Sequence, residues 1–309
     1  MRILVVRGGA IGDFILTLPV LAALRKRFPK AAIDVLGYPH IAELAVAGGL
    51  ADAVHAIESL LLSHMFVKGS AFPDSVAQFF HRFDLVISYI YDPESVFQEN
   101  VRRLSQATYL RGCHRPDERA PQHATITLLE PLRCLGFDNP DPVPRLRIPI
   151  TNEALDTEHA IPVLAVHPGS GSTRKNWPEH SWARLLNQLA KRTDCRLLMI
   201  AGEAEGQRAD RLAALWPKNR LELARNLSLT RVAELLQSSS AFVGHDSGIT
   251  HLAAALGIPT LVLWGPTNPS VWRPLGPNVR LLANPGGISA LEVEAVLDAC
   301  LELIQKRPG

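Results

Sequence analysis

The segment RILVVRGGAIGD (residues 2–13) indicates how the amino-terminal half of the chain folds. Its first part, Arg2 to Val6, is a short run rich in isoleucine, leucine and valine, which is typical of a strand. Glycines follow at positions 8, 9 and 12, and apolar residues then recur at spacings of three and four: Phe14, Leu18, Leu21, Leu24 and Phe28. The segment therefore predicts a strand, a glycine-rich turn and a helix in direct succession.

The alternation of strand and helix signals continues through the first half. Further strands are predicted at Ala32 to Leu36 and at Leu85 to Tyr89, with helix-like segments between them. Strands that alternate with helices favour a mainly parallel sheet. The first half is therefore expected to form a Rossmann-like α/β domain.

A proline-rich stretch from Asp138 to Pro162 separates the two halves. We interpret it as a linker with a flanking strand, because neither a helix interior nor a central strand accepts so many prolines. The pattern then restarts with a helix from Ser181 to Lys191 and with strands at Val163 to His167, Arg196 to Ile200, Ala241 to Val243 and Thr260 to Leu263. The sequence thus predicts Rossmann-like domains at residues 1–150 and 151–309, with a final helix, Ala290 to Lys306, that packs back on the first domain.

Composition fits this organisation and excludes several protein classes. A length of 309 residues suits two domains of ordinary size, and 47% hydrophobic with 20% charged residues is typical of a folded protein. The net charge of +2 argues against a dedicated nucleic-acid binder. The four cysteines lack CxxC spacing, which favours a reducing compartment. The apolar run at the amino terminus is cut by Arg7, unlike a signal peptide, so we expect a cytoplasmic protein, with contact to the inner membrane face left open.

The segment Gly244 to His251 combines features of an anion site. Asp246 and Ser247 are good helix caps, and Gly248 lets a ligand approach the backbone at the start of the following helix. His251 lies about one helical turn further on and can point at the same anion. The segment suits a diphosphate, although a simple capping role is the alternative for Asp246 and Ser247.

A second loop, from Ser170 to Pro178, also lies between a predicted strand and helix. Hydroxyls such as Ser170 and cations such as Arg174 and Lys175 can bind phosphate oxygens there. A solvated basic loop is the alternative. Ligands of open α/β sheets bind at the carboxyl ends of the strands, so the two loops support each other as one site.

The glycine-rich turn of the first half lacks the G-x-G-x-x-G spacing of a dinucleotide-binding fingerprint. This spacing argues against an NAD-dependent dehydrogenase, which remains a minor alternative. Asp13 opens the helix after the turn and is a natural cap. At a cleft, the same carboxylate can serve as a general base for an acceptor hydroxyl.

Together these motifs resemble glycosyltransferase family 9, whose best-known members are the ADP-heptose:lipopolysaccharide heptosyltransferases. The resemblance runs through nearly the whole chain in order: residues 1–6 leading to Gly12-Asp13 and Leu18-Pro19, the loop at 167–178, and Asp246-Ser247-Gly248 with His251, continuing to residues 264–267. It implies the GT-B architecture, in which two Rossmann-like domains with mainly parallel sheets face a cleft. Residues 60–119 and the region after Pro266 match less closely.

By this resemblance Asp13 corresponds to the catalytic base, and the residues at the donor diphosphate are Lys175, Ser247, Gly248 and His251. Glu203 is a looser match to an acidic residue that holds the donor ribose, with Glu205 as the alternative. The implied reaction moves a sugar, heptose in the best-known members, from a nucleotide-diphosphate donor to a glycan or lipopolysaccharide-core acceptor. No cofactor is implied beyond the nucleotide sugar itself.

The chain contains no D-x-D triplet, which metal-dependent transferases use to hold a divalent cation on the diphosphate. We therefore expect a metal-independent, inverting displacement in which Lys175, Arg174 and a helix amino terminus balance the charge of the leaving group. A sugar-nucleotide-binding protein without catalysis is the second alternative. Scattered basic residues of the first half, among them His64, Lys68, Arg102 and Arg103, can receive an acidic glycolipid or represent ordinary surface charge.

Overall fold

The computed structural model describes residues 1–119, 121–149, 161–203 and 205–305. The chain forms two compact units, Met1–Pro144 and Arg145–Gly309. The predicted boundary between residues 150 and 151 lies outside the described residues. The described part of the predicted linker is tied to the second unit, because the amide of Leu146 donates to the carbonyl of Ala255 at 2.8 Å and Ile148 pairs with the Gln237 side chain.

The first unit contains a five-stranded sheet in the order β3-β2-β1-β4-β5, in which every pair is parallel. Its strands are β1 Arg2–Arg7, β2 Ala32–Gly37, β3 Ala53–Ala56, β4 Leu85–Ser88 and β5 Thr108–Arg111. Its helices are α1 Ile11–Ile15, α2 Leu18–Arg27, α3 Pro39–Ala47, α4 Asp74–His81, α5 Val96–Leu104 and α6 Ala124–Leu129, with 3₁₀ turns at Leu60–Phe66 and Glu130–Leu135.

The second unit contains a six-stranded parallel sheet in the order β11-β10-β9-β6-β7-β8. Its strands are β6 Val163–His167, β7 Arg196–Ala201, β8 Leu221–Arg225, β9 Ala241–His245, β10 Thr260–Leu263 and β11 Val279–Leu282. Its helices are α7 Glu179–Arg192, α8 Gly206–Ala213, α9 Leu229–Gln237, α10 Gly248–Ala255, α11 Pro269–Trp272 and α12 Val293–Gln305, with 3₁₀ turns at Thr173–Lys175, Lys218–Arg220 and Ile288–Ala290. This strand order is that of a dinucleotide-binding Rossmann domain.

The predicted strands are the central ones, and their burial explains why the sequence identifies them. Ile3 to Val6 of β1 are at most 1% exposed, as expected for a parallel strand covered by helices on both faces. The strands without a sequence prediction are β3, β5, β8 and β11, which form the four edges of the two sheets. Their side chains are mostly half-buried, so they lack the continuous apolar run of a central strand.

The single helix predicted after the glycine turn is two helices. α1 ends at Ile15 and α2 begins at Leu18, with Pro19 in its first turn. Proline fits a first turn, where the missing amide is not required for the helix, but it cannot continue an existing helix. The hydroxyl of Thr17 donates to the carbonyl of Asp13 at 2.8 Å across the break.

The carboxylate of Asp34, on β2, is buried at the centre of a charged cluster in the first unit. It accepts hydrogen bonds from the guanidinium groups of Arg2 and Arg82, at 3.2 and 3.1 Å, and lies 2.9 Å from Nε2 of His55. The Arg82 guanidinium also lies over the rings of Phe79 and Phe83. A buried carboxylate requires such partners, and this one ties β1, β2, β3 and the end of α4 together.

The final helix, α12, packs against α7 and β9 in the second unit. Val296, Leu297, Cys300 and Leu303 of its predicted apolar face are buried in the core of that unit. No helix in the described ranges combines the length and apolarity needed to cross a bilayer.

Candidate functional site

Two loops of the second unit begin side by side because of how its central strands pair. His167 of β6 is in register with Gly244 of β9, so the chain leaves both strands at the same edge of the sheet. In the sheet β7 lies next to β6 and β10 lies next to β9, so the chain connections from this central pair lead in opposite directions. Such a divergence opens a crevice at the carboxyl ends of the strands, where α/β proteins bind ligands. The structure places both predicted donor loops there.

Lys175 and Asp246 join the two loops. The ammonium group of Lys175 lies 2.7 Å from Oδ2 of Asp246, and the Thr267 hydroxyl donates to the same oxygen at 2.6 Å. Asp246 is buried, whereas the side chain of Lys175 remains 29% exposed. Asp246 is therefore the ion-pair partner of Lys175. Of the two predicted helix caps, Asp246 and Ser247, only Ser247 caps the helix.

Ser247 is the N-cap of α10, and its hydroxyl oxygen accepts from the amide of Thr250 at 3.4 Å. Gly248 is the first residue of the helix. The amides at a helix start have no acceptor within the helix, and the helix dipole makes this end attractive to anions. His251 is buried in the first turn, and its amide donates to the Ser247 carbonyl at 3.2 Å.

The hydroxyl of Ser170 is engaged within its own loop. It lies 2.8 Å from the carbonyl of Ser172 and 2.7 Å from Oδ1 of Asn176, and it accepts from the amide of Ser172. These contacts hold the shape of the loop that carries Lys175. Direct contact between Ser170 and a donor stays a prediction.

Of the two glutamates considered for the ribose, Glu203 is exposed in a turn and Glu205 is buried. Oε2 of Glu205 accepts from the amide of Gly202 at 2.6 Å, and Oε1 lies 3.7 Å from Nε2 of His167. The carboxylate also covers Gly169, where an added Cβ would lie 1.8 Å from Oε1. Glu205 is thus built into the base of the Lys175 loop, whereas Glu203 is not.

Asp13 lies in the first unit, in the first turn of helix α1, which follows the glycine turn after β1. Its Oδ2 accepts from the amide of Ala10 at 3.0 Å, so the capping role that the sequence offers is present. Its Oδ1 lies 3.5 Å from the buried guanidinium of Arg7, and its side chain is 35% exposed. Gly9 adopts a φ of +102°, and a Cβ there would lie 2.8 Å from Oδ2. Glycine is therefore required for the turn that presents Asp13.

Arg7 is a buried cation beneath this turn. Its guanidinium donates to the carbonyl oxygens of His114, at 2.9 Å, and of Asp13 and Tyr89. Burial lowers the pKa of Arg7, and the negative charge of Asp13 opposes that shift. An arginine nevertheless stays protonated at neutral pH. The ion pair holds the Asp13 carboxylate in place from below.

His167 and His245, at the ends of β6 and β9, were not identified as site residues by the sequence. Burial lowers the pKa of His245 to about 3, and the neighbouring His167 and Arg208 act in the same direction. Burial lowers the pKa of His167 to about 4, against the opposing effect of Glu205. Both rings are therefore uncharged at neutral pH. The signals in the sequence were their positions: His167 opens the loop at 167–178, and His245 lies beside Asp246.

Within the described part of the chain, no three His, Cys, Asp or Glu side chains are grouped as a metal site requires. Charged groups in or beside the two loops include those of Arg174, Lys175, Asp246, Glu205 and Arg208. Burial lowers the pKa of Arg208, whose guanidinium donates to the carbonyl of Trp177 at 2.7 Å.

Comparison with known proteins gives the same fold and identifies the family. The family profile for glycosyltransferase family 9 (heptosyltransferase) matches residues 94–293. The chain belongs to glycosyltransferase family 9. It is therefore a glycosyltransferase. The matched range contains both loops of the second unit but not Asp13.

A Pseudomonas aeruginosa protein named lipopolysaccharide heptosyltransferase 1 is 30% identical over 292 residues, covering 87% of this chain and 80% of that protein. A family 9 glycosyltransferase from Veillonella parvula superposes with a TM-score of 0.77 at 19% identity, covering 98% and 97% of the two chains. An Escherichia coli heptosyltransferase determined with ADP gives 0.76 at 24% identity, covering 98% and 100%. The structural matches establish the GT-B fold of this family member.

The two uncharged histidines predict an acid-sensitive second unit. Each folded-state pKa lies below the ordinary histidine value near 6.5, so the unfolded chain binds more protons between that value and the folded pKa. Above about pH 6.5 each ring makes its full contribution to the free energy of unfolding. That contribution falls as the pH drops towards 4, by at most about 1.4 kcal/mol per pH unit for each ring. Urea unfolding followed by tryptophan fluorescence measures this, because all five tryptophans lie in the second unit.

The variant His167→Asn removes one of the two titrating rings, so its stability should depend less steeply on pH between 6.5 and 4. Exposed His180 provides the control, and His180→Asn should retain the wild-type slope. Equal slopes for wild type and His167→Asn would contradict the assignment of a neutral His167.

Proposed function

We propose that this glycosyltransferase transfers heptose from ADP-heptose to a lipopolysaccharide-core acceptor, with inversion at the anomeric carbon and without a metal ion. The observation that carries the proposal is the 30% identity, over most of both chains, to a protein named lipopolysaccharide heptosyltransferase 1. Proteins named heptosyltransferase 2 also align with about nine-tenths of this chain at lower identity. The E. coli heptosyltransferase whose structure was determined with ADP supports the ADP part of the donor.

In this proposal, the donor diphosphate lies at the amino terminus of α10. The amides of Gly248 and the following residue, with Ser247 and His251, bind its oxygens, and Lys175 supplies positive charge. The 2.7 Å contact with Asp246 supports this role, because it holds the ammonium group beside the start of α10. Ser170 shapes the loop. Glu205 is the better supported ribose ligand of the two glutamates, since its carboxylate is fixed at the base of the same loop.

Replacement of Lys175 by Gln should weaken ADP binding by roughly 1.5 to 3 kcal/mol, the range for a hydrogen bond to a charged group. This corresponds to about a ten- to hundredfold rise in Kd, measured by isothermal titration calorimetry. Lys191→Gln is the matched control, because it removes the same charge from an exposed position in the last turn of α7. ADP affinity should also be unchanged by EDTA. Loss of binding in EDTA, together with wild-type affinity in Lys175→Gln, would overturn both the metal-free and the lysine assignment.

We propose Asp13 as the general base. Its carboxylate takes the proton from the acceptor hydroxyl while that oxygen attacks the anomeric carbon, and the bond from this carbon to the diphosphate breaks on the opposite side. ADP leaves with the additional negative charge, which Lys175 and the α10 amides stabilise. Two observations support Asp13: it is partly exposed, and Arg7 and the Ala10 amide fix its orientation.

Asp13→Asn should lower the rate of heptose transfer about a hundredfold or more, because the amide keeps the shape but is not a base. ADP affinity should not change. Transfer is measured with ADP-heptose and a heptose-free core acceptor, and NMR of the product gives the anomeric configuration. Asp74→Asn, in the first turn of α4, is the control carboxylate and should retain wild-type turnover. Undiminished turnover in Asp13→Asn would leave Asp13 as a helix cap.

We also propose that the first unit contacts an anionic membrane surface through the 3₁₀ turn Leu60–Phe66. Side chains three residues apart share one face of such a helix. Leu62 and Met65 face the core, whereas Leu60, at 87% exposed, and Phe66, at 45%, lie on another face, followed by exposed Val67. The amide group of Asn100 holds the turn by donating to the carbonyls of residues 65 and 67, both at 3.1 Å.

The charges around this turn favour an anionic partner. Residues 59–73 contain no aspartate or glutamate themselves and are flanked by exposed Glu58 and Asp74. Lys68 is exposed beside the apolar side chains, and exposed Arg103 of α5 donates to the carbonyl of Ser70 at 3.3 Å. Apolar side chains with adjacent cations are the combination that binds the interface of anionic bilayers.

The triple variant Leu60→Ser/Phe66→Ser/Val67→Ser should bind phosphatidylglycerol vesicles at least about tenfold more weakly than wild type in sedimentation assays, because apolar burial is lost. Leu227→Ser removes an exposed leucine from the second unit and is the control. Phosphatidylcholine vesicles should bind wild type poorly. If wild type ignores both kinds of vesicle but self-associates through the turn, the surface serves a second copy of the chain instead.

A further inference from the structure

We propose that His245 is a positioning residue that clamps both ends of the Gly169–Trp177 segment and thereby sets the place of Lys175 in the donor site. The inference rests on the proposed donor role of Lys175. It concerns a residue whose side chain is fully buried.

The imidazole of His245 bonds to the two ends of one loop. Its Nδ1 lies 3.2 Å from the carbonyl oxygen of Gly169, where the loop begins. Its Nε2 accepts from the backbone amide of Trp177, where the loop ends, at 2.9 Å. Lys175 lies between these two points. One imidazole ring therefore joins the two ends of the loop through hydrogen bonds.

The pattern of donors and acceptors fixes the protonation of the ring. A carbonyl oxygen can only accept, so Nδ1 carries the proton, whereas a backbone amide can only donate, so Nε2 carries none. The indole Nε1 of Trp182 also donates to Nε2, at 3.3 Å. A charged imidazolium would face two N–H groups without an acceptor at Nε2, in agreement with the lowered pKa of His245.

The clamp is coupled to the second donor loop through the chain. His245 is the last residue of β9 and is followed directly by Asp246, the partner of Lys175. The ring thus ties the Lys175 loop to the strand end that carries Asp246. Displacement of the loop by a few tenths of an ångström would lengthen the 2.7 Å contact between the two charged groups. The contacts of Ser170 hold the shape of the loop itself, whereas the His245 ring fixes where the loop lies relative to Asp246.

A packing role alone would require only an aromatic ring at this position. The ring of His245 does pack edge-on against Trp182, with centroids 5.5 Å apart, and Trp182 contacts Trp177 in the same way. A hydrophobic ring would satisfy these contacts. It would leave the Trp177 amide and the Gly169 carbonyl without their hydrogen-bond partner. A packing role and a clamping role can therefore be distinguished by substitution.

Three substitutions at one position test the clamp. His245→Phe keeps a ring and removes both loop bonds. In His245→Gln the side-chain oxygen reaches the place of Nε2 and can accept from the Trp177 amide. In His245→Asn the side-chain nitrogen takes the place of Nδ1 and can donate to the Gly169 carbonyl. Trp182→Phe is the matched control, because it removes the third hydrogen bond of the ring while both loop bonds remain.

For wild type and each variant, the quantities to measure are the Kd of ADP by calorimetry, the KM of ADP-heptose, and the melting temperature by tryptophan fluorescence. Loss of one or two hydrogen bonds should raise the Kd of ADP in His245→Phe roughly three- to thirtyfold. His245→Gln should recover more affinity than His245→Asn, because the Trp177 end of the loop is the nearer one to Lys175. The KM of ADP-heptose should follow the same order, and Trp182→Phe should lose stability without a change in either constant.

A wild-type Kd in all the His245 variants, whatever their melting temperatures, would reduce His245 to a packing residue and overturn the clamp. Should His245→Phe fail to fold, the ranking of the Gln and Asn variants still decides, and equal affinities for these two would also overturn it. Failure of the proposed donor role of Lys175 is a different result: Lys175→Gln would then bind ADP with the wild-type Kd, or wild type itself would not bind ADP.

Discussion

Parallel pairing of β6 with β9 is the constraint on which the candidate donor site depends. Because His167 and Gly244 are in register, the loops that follow the two strands start next to each other although about 80 residues separate them along the chain. The pairing brings Lys175 within 2.7 Å of Asp246 and lets the His245 ring reach Gly169 and Trp177. Each contact joins residues far apart in the sequence, so its geometry depends on the pairing of the central strands.

Each unit has a pair of opposite charges near the carboxyl end of its first strand. In the first unit, Arg7 at the end of β1 contacts Asp13 of helix α1; in the second, Lys175 after β6 contacts Asp246 after β9. The pairs differ in which partner is accessible. Arginine is the buried member of the first pair and aspartate of the second. The first arrangement therefore leaves a carboxylate partly open to solvent, and the second leaves an ammonium group partly open.

The sequence predicts what depends on continuous burial or local spacing and misses what depends on distant partners. The central strands were predicted because both of their faces are covered, and the edge strands β3, β5, β8 and β11 escaped because their side chains are half-buried. Spacing located the loops with Lys175 and Asp246 at one sheet edge. It could not predict that these two side chains pair with each other, nor that the neighbouring His245 binds a loop end 76 residues away. The break between α1 and α2 was readable from Pro19, although the apolar spacing obscured it.

The contact between Glu205 and Gly169 restricts how this chain can vary among its descendants. The glutamate carboxylate occupies the volume that any side chain at position 169 would need, and its own oxygen accepts from the Gly202 amide. A larger residue at 169 is tolerable only after position 205 has become smaller, and that change leaves the Gly202 amide without its acceptor. A substitution at position 169 alone and one at position 205 alone are both unfavourable. The two positions are therefore expected to change together in evolution. Chains that carry a side chain at the first position should therefore lack the buried glutamate at the second.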